Sequence, residues 1–313
     1  MPDNIVEALR EASINKLFAA NVFDNSFSTW LPIIVSHIPA RTSRQVLDLG
    51  DHLSEIFRST STGVRGQGDV SGGGAAWESL VCWYLNLCLI GRRTVVIKHH
   101  RELIPQPVSD AITVNYHNFV SNTESDLIAI TFPDRQDYVI SKDAINILDE
   151  NGSPVALRVG RNNRYNLLPV LNALCHRDFT DLEIHIIQCK TNWNDNAQIP
   201  MLWDMIYSAT NFRTNVTVGR NGYSIADVAR FTYSFVTVPT SRMSGINVNS
   251  TCVKRVTNLT GGNYWGRPTV NNVANSIKEM LQRNLSTGHA RNHLTTLNNE
   301  LPNLNTEYAY FRL

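Results

Sequence analysis

The chain of 313 residues is 42% hydrophobic and 18% charged, the make-up of a folded protein with a sizeable core rather than of a disordered one. A formal net charge of +1 excludes a bulk polycation, so any nucleic-acid partner would have to meet a locally basic groove. The five cysteines include no C-x-x-C pair, which argues against a disulfide framework and against a zinc module.

The N-terminus, with Asp3, Glu7 and Glu11 among apolar residues, is unlike a signal peptide. Apolar residues from Leu80 to Ile90 are too few for a membrane span and are interrupted by Asn86. The expectation is a cytoplasmic protein with reduced thiols and no membrane partner.

Residues 4 to 58 read as helical, with Ile5, Leu9, Ile14, Leu17 and Phe18, then Val46, Leu49, Leu53, Ile56 and Phe57, near helical spacing. The stretch from Gly66 to Gly74 reads as a loop entering a helix that starts at Ala75. It breaks the Gly-x-Gly-x-x-Gly spacing at Ser71, and no Gly-Lys-Ser/Thr follows, so a nucleotide site is not expected. Along that helix Trp77, Leu80, Val81, Tyr84 and Cys88 form an apolar stripe, and Glu78 sits on the first turn, where a carboxylate suits the helix dipole.

Thr94 to Lys98 reads as a strand, leading into the basic cluster Lys98-His99-His100-Arg101. Lys98 and Arg101 are candidates for phosphate contact, against the plainer reading of a solvated loop. Neighbouring His99 and His100 have no metal-ligand spacing, and no histidine or cysteine set stands out as a metal site. Residues 111 to 120 read as a further strand, and Asp126 opens the apolar strand Leu127 to Phe132. Asp137 to Ser141 is strand-like and Leu167 to Cys175 helix-like, with Arg158, Arg161 and Arg164 between them as a candidate DNA-facing insertion.

The β-branched run Leu182 to Lys190 reads as a strand broken by Thr191-Asn192-Trp193-Asn194-Asp195. Alternation turns Gln188 and Lys190 to one face and Cys189 to the other. A lysine at the exit of an apolar strand is costly unless its charge is used. Beyond it the pattern predicts a helix from Ile199 to Ala209, strands at Asn215 to Val218 and Phe231 to Val238, and a helix from Val270 to Asn284.

Ser125-Asp126 ahead of one strand, with Gln188-Cys189-Lys190 ending a later one, resembles the PD-(D/E)XK nuclease pattern, most closely its type II restriction endonuclease branch. The order of helix, strands, helix and strand matches the core of that family. The resemblance departs from the pattern at Ser125, where proline is usual, and at Gln188, where the family has Asp or Glu. Pro133-Asp134 matches the letters better but follows the strand in a turn, so Asp126 is preferred.

The resemblance implies an α/β fold with a restriction-endonuclease-like core, a mixed central β-sheet flanked by helices, and helical N-terminal and C-terminal additions. The expected organisation is a cap over residues 1–65, a nuclease core over 66–240 and an extension over 241–313 packed on the core. It further implies site-specific hydrolysis of double-stranded DNA with Mg²⁺, for which Mn²⁺ can substitute. Asp126, Gln188, Glu78 and the main-chain carbonyl of Cys189 would hold the metal, and Lys190 would orient water and offset charge. Asn192, Asn194, Asn196 and Gln198 suit base reading, since Asn and Gln pair bidentately with adenine, although a polar loop ahead of a helix accounts for them too. A cutter of palindromic DNA is expected to act as a homodimer. The alternatives are a junction- or end-processing nuclease and a catalytically inactive DNA-binding protein on the same fold.

Overall fold

The computed structural model describes residues 3–60, 67–98, 102–116, 119–122, 125–191, 216–238, 249, 263–264 and 277–313. Four helices open the chain: α1 (Ile5–Phe18), α2 (Asn21–His37), α3 (Ser43–Asp48) and α4 (Leu53–Arg58). Local chemistry starts two of them. The Asn4 side chain accepts the Glu7 N–H at 2.9 Å, and Thr42 with Gln45 closes a capping box at α3.

The long helix α5 (Gln67–Cys88) begins eight residues before the predicted start at Ala75, so Gly68 to Gly74 are helical backbone rather than an entry loop. Glycine disfavours a helix by about 1 kcal/mol per residue. That cost is offset downstream, where Trp77, Leu80, Val81, Trp83, Tyr84 and Leu85 are all fully buried and hold the helix in place.

The central sheet is built from β1 (Thr94–Lys98), β4 (Leu127–Thr131), β7 (Glu183–Lys190), β9 (Arg230–Thr237) and β10 (Asn263–Tyr264), in that spatial order. The pairs β1/β4 and β4/β7 are antiparallel, whereas β7/β9 and β9/β10 are parallel. It is a mixed sheet with apolar side chains on both faces, as a sheet covered on both sides requires. On one face Val96, Leu127, Ala129, Ile187, Cys189 and Val236 pack with α5, α2 to α4 and the C-terminal segments. On the other, Val95, Ile97, Ile128, Ile130, Ile184 and Ile186 pack with the start of α1 and with α7 (Leu167–Arg177). The predicted N-terminal and C-terminal additions thus share the core of the sheet: Ile277, Met280, Leu281, Leu297 and Phe311 lie in the same cluster as Trp77.

Two predicted strands differ in the structure. Residues 111 to 120 divide into the end of helix α6 (Gln106–Ala111) and two strands, β2 (Thr113–Tyr116) and β3 (Phe119–Asn122). These form a separate three-stranded sheet with β8 (Val216–Val218), which does not join the central sheet. Asp137 to Ser141 is not a strand; a 3-10 turn, Gln136–Tyr138, replaces it. Only one of its residues reaches the core: Tyr138 is buried and stacks on Phe132, while Val139 is 57% exposed. The Arg158 and Arg164 positions fall on a small exposed hairpin, β5 (Arg158–Val159) and β6 (Arg164–Tyr165). The predicted helix at 199–209 and the first part of the one at 270–284 lie outside the described residues; Ile277–Asn284 is helical. Among the described residues no helix is long and apolar enough to cross a membrane.

One polar network locks the fold. Arg10, fully buried, donates to Thr94 O at 2.9 Å, Arg92 O at 2.7 Å and Asn86 Oδ1 at 3.3 Å, and pairs with Glu7 at 2.8 Å. Arg10→Met should therefore lower unfolding free energy by about 3–5 kcal/mol in urea titration, because it strands the 5% exposed Glu7 carboxylate and leaves two carbonyls without their donor. In the opposite direction, Gly74→Ala should add about 0.5–1 kcal/mol, since beyond its chain neighbours and the helix's own backbone no atom lies within 4 Å of the new methyl, and the backbone there is helical.

Candidate active site

The antiparallel register of β1, β4 and β7 brings three predicted residues to one end of the sheet. Lys98 ends β1 opposite Leu127, Asp126 precedes Leu127, and Leu127 lies opposite Ile187 near the end of β7. The register therefore sets Asp126 beside the Gln188–Cys189 peptide. Its Oδ2 accepts the Cys189 N–H at 2.6 Å, and the Lys190 Nζ stands 3.9 Å from the same oxygen. A carboxylate that accepts a main-chain N–H at the mouth of a strand is held in one direction, as a ligand or general base must be.

Glu78 approaches from α5. It lies 3.2 Å from Lys98 Nζ, which also donates to Ala75 O at 2.7 Å and Ser79 Oγ at 3.0 Å. Lys98 is thus engaged with α5 rather than offered freely to a phosphate. The four charged side chains keep between 16% and 25% of their surface, so they are reachable from solvent yet sit where charges interact strongly.

Cys189 reports on this field. Its thiol is buried on the α5 side, as the predicted alternation requires. Burial raises its pKa well above the usual range; Asp126 and Glu78 push the same way, while Lys190 and Lys98 pull back. Both carboxylates and both ammonium groups therefore act electrostatically on the same thiol. Cys189 itself is an inert spacer, not a nucleophile.

Gln188 shares the Lys190 face of the strand but does not open into the site. It is fully buried, and its Oε1 accepts a hydrogen bond from the Tyr233 hydroxyl on β9. Its Nε2 is buried without a hydrogen-bond partner. The expected orientation, with the amide oxygen directed at a cation, is not the one adopted, because Tyr233 comes within reach through the β7/β9 pairing Ile186↔Tyr233. Among the described residues, Asp126 and Glu78 carry the carboxylates at this end of the sheet.

Asp134, the rival acid, lies past the opposite end of β4. It is 87% exposed and only 3.8 Å from Arg93 as a partner. Asn192, Asn194, Asn196, Gln198 and Arg101 lie outside the described residues. Sequence reasoning missed Ser79, Tyr233 and the Glu78–Lys98 pair. The one signal for Tyr233 was the alternation of its strand, which places it on a buried face without naming its partner.

No protein-family model and no curated protein matches the chain. Removing the hydroxyl in Tyr233→Phe leaves both polar ends of the Gln188 amide unsatisfied. The expected loss is about 1–3 kcal/mol of stability, read from the denaturant midpoint, while Gln188→Leu in the same background should return part of it.

Proposed function

We propose that the chain is a metal-dependent endonuclease that cuts double-stranded DNA at a short specific sequence, on a restriction-endonuclease-like core of the PD-(D/E)XK kind. The observation that carries this reading is the seating of Asp126 against the Cys189 N–H at 2.6 Å with Lys190 at 3.9 Å, on neighbouring strand ends. The sheet order supports it too: three antiparallel strands, β1, β4 and β7, followed by β9 parallel to β7.

The donor set fits a hard divalent cation. Asp126 and Glu78 supply carboxylate oxygens, and the Cys189 carbonyl is the main-chain candidate beside them. Bound there, Mg²⁺ would lower the pKa of a water and stabilise charge on the phosphoryl oxygens. Asp126 is aimed by the Cys189 N–H. Lys190 is placed to donate to the developing negative charge, and in the absence of substrate it neutralises Asp126. Lys98 does the same for Glu78, so each acid rests against an ammonium. With Gln where the family has Asp or Glu, and turned inward onto Tyr233, position 188 supplies no carboxylate to the site. Two-fold pairing of subunits on a palindromic duplex would supply the second cut.

That inward Gln188, bonded to Tyr233, is also what favours a second reading, a DNA-binding protein on the same fold without catalysis. Long mixed-sequence DNA incubated with the purified protein and Mg²⁺ separates the two. Discrete fragments are expected, abolished by chelator. Asp126→Ala and Lys190→Ala should each depress the rate on the order of 10³-fold, whereas Asp134→Ala should cut like the parent. DNA that stays intact while still being bound would leave the second reading in place, and cleavage undiminished by chelator would end the first.

A further inference from the structure

A second cluster of chemistry-bearing side chains lies on the N-terminal helices, apart from the sheet. His37 is the last residue of α2, and His52 and Glu55 sit at the start of α4. One donor atom from each of the three lies within 4.8 Å of the other two, and among the described residues no other trio of His, Cys, Asp or Glu comes so close. The two imidazole rings stack, with centroids 4.0 Å apart and planes 20° from parallel. The Glu55 Oε2 stands 3.7 Å from His52 Nδ1.

We propose that His37, His52 and Glu55 form a binding site for a divalent transition metal of the zinc class, with its fourth position left to water. Two imidazoles and one carboxylate are a donor set that zinc takes in proteins, and they are too nitrogen-rich for Mg²⁺ or Ca²⁺. A tetrahedral ion with bonds of about 2.0–2.2 Å holds its donors roughly 3.5 Å apart. The His52–Glu55 separation, 3.7 Å, is already close to this, and binding turns the stacked rings so that one nitrogen of each faces the ion.

The helices, not the ligands, set this geometry. His52 and Glu55 are three residues apart on one helix face. His37 is carried to them by α2, which packs on α4 through Trp30 and Phe57, their rings 6.1 Å apart. Ile34, Ile56 and Phe57 are buried in the same cluster. Donors fixed in this way by a hydrophobic contact bind a metal without ordering a loop. The ion would clamp the end of α2 to the start of α4, and Phe57 passes that restraint to Trp77 of α5, 5.3 Å away.

The site stands independently of the proposed nuclease centre. The test uses the full chain without a histidine tag, stripped with chelator, dialysed and titrated with Zn²⁺ by calorimetry. One equivalent should bind, and at a hundredfold excess over Kd the melting temperature should rise by about 5 °C. His37→Ala and His52→Ala should each weaken binding by roughly a hundredfold and Glu55→Gln by roughly tenfold. Asp126→Ala and millimolar Mg²⁺ should leave it unchanged.

The His52 side chain makes no cap hydrogen bond to α4, and both imidazoles are partly exposed, so the metal-free variants should keep the parent circular dichroism. Co²⁺ in place of Zn²⁺ should give the intense visible bands of a four-coordinate ion, lost in both histidine variants. Absence of Zn²⁺ binding, or binding that persists in the His37→Ala/His52→Ala protein, overturns the proposal.

Discussion

The free edge of β1 is the constraint on which the rest of the structure depends. This strand is the outer member of the central sheet, so its outward N–H and C=O groups need partners that no neighbouring strand supplies. Helix α5 supplies them with a side chain. Asn86 donates to Val96 O at 2.7 Å and accepts from Val96 N at 3.1 Å, closing the edge as a short strand would. Arg10 extends the seal to Thr94 O and ties in Glu7, whose Oε1 also takes the Gly91 N–H. Three elements distant in sequence, α1, α5 and β1, are thereby fixed in one register by groups that would each be costly alone in the core.

That register reaches the site. With Asn86 locked to Val96, α5 runs back along β1 so that Ser79 and Glu78 arrive at Lys98, two residues further along the strand. The β4 and β7 pairings then bring Asp126 and Lys190 to the same end. Each acid meets an ammonium rather than the other acid. The Cys189 N–H fixes the direction of Asp126, and around the buried Cys189 thiol the two acids push its pKa up while the two lysines pull it back. The polar seal along the edge and the charged cluster at its end are consequences of one helix position.

The N-terminal helices are more than a cover. Helix α1 contributes Ile5, Val6 and Leu9 to one core and Ile14, Leu17 and Phe18 to the other, so it stitches the two faces of the sheet together. Helices α2 and α4 press on α5 through an aromatic chain that runs from Trp30 to Phe57 to Trp77. A clamp between His37 and His52 would act on that chain one residue away from Glu78. The cap and the candidate site are therefore mechanically continuous, although no residue is common to both.

What the sequence determined by itself is what short-range pattern encodes. The strands Thr94 to Lys98 and Leu182 to Lys190, the helices of the first 58 residues and the opposite facing of Cys189 and Gln188 follow from period and β-branching, which act within a few residues. The placement of the two acids was legible for the same reason: Asp126 opens a buried strand and Asp134 follows it. Tertiary structure alone decided the rest. Gly68 to Gly74 are helical because residues far along α5 are buried, and Val216–Val218 pairs with β2 rather than with the central sheet. Gln188 turned inward because Tyr233, 45 residues later, arrives beside it on β9. His37 and His52 face one another because Trp30 and Phe57 pack. Each of these outcomes depends on which distant side chain fills a given space, and packing of that kind leaves no periodic trace in the chain.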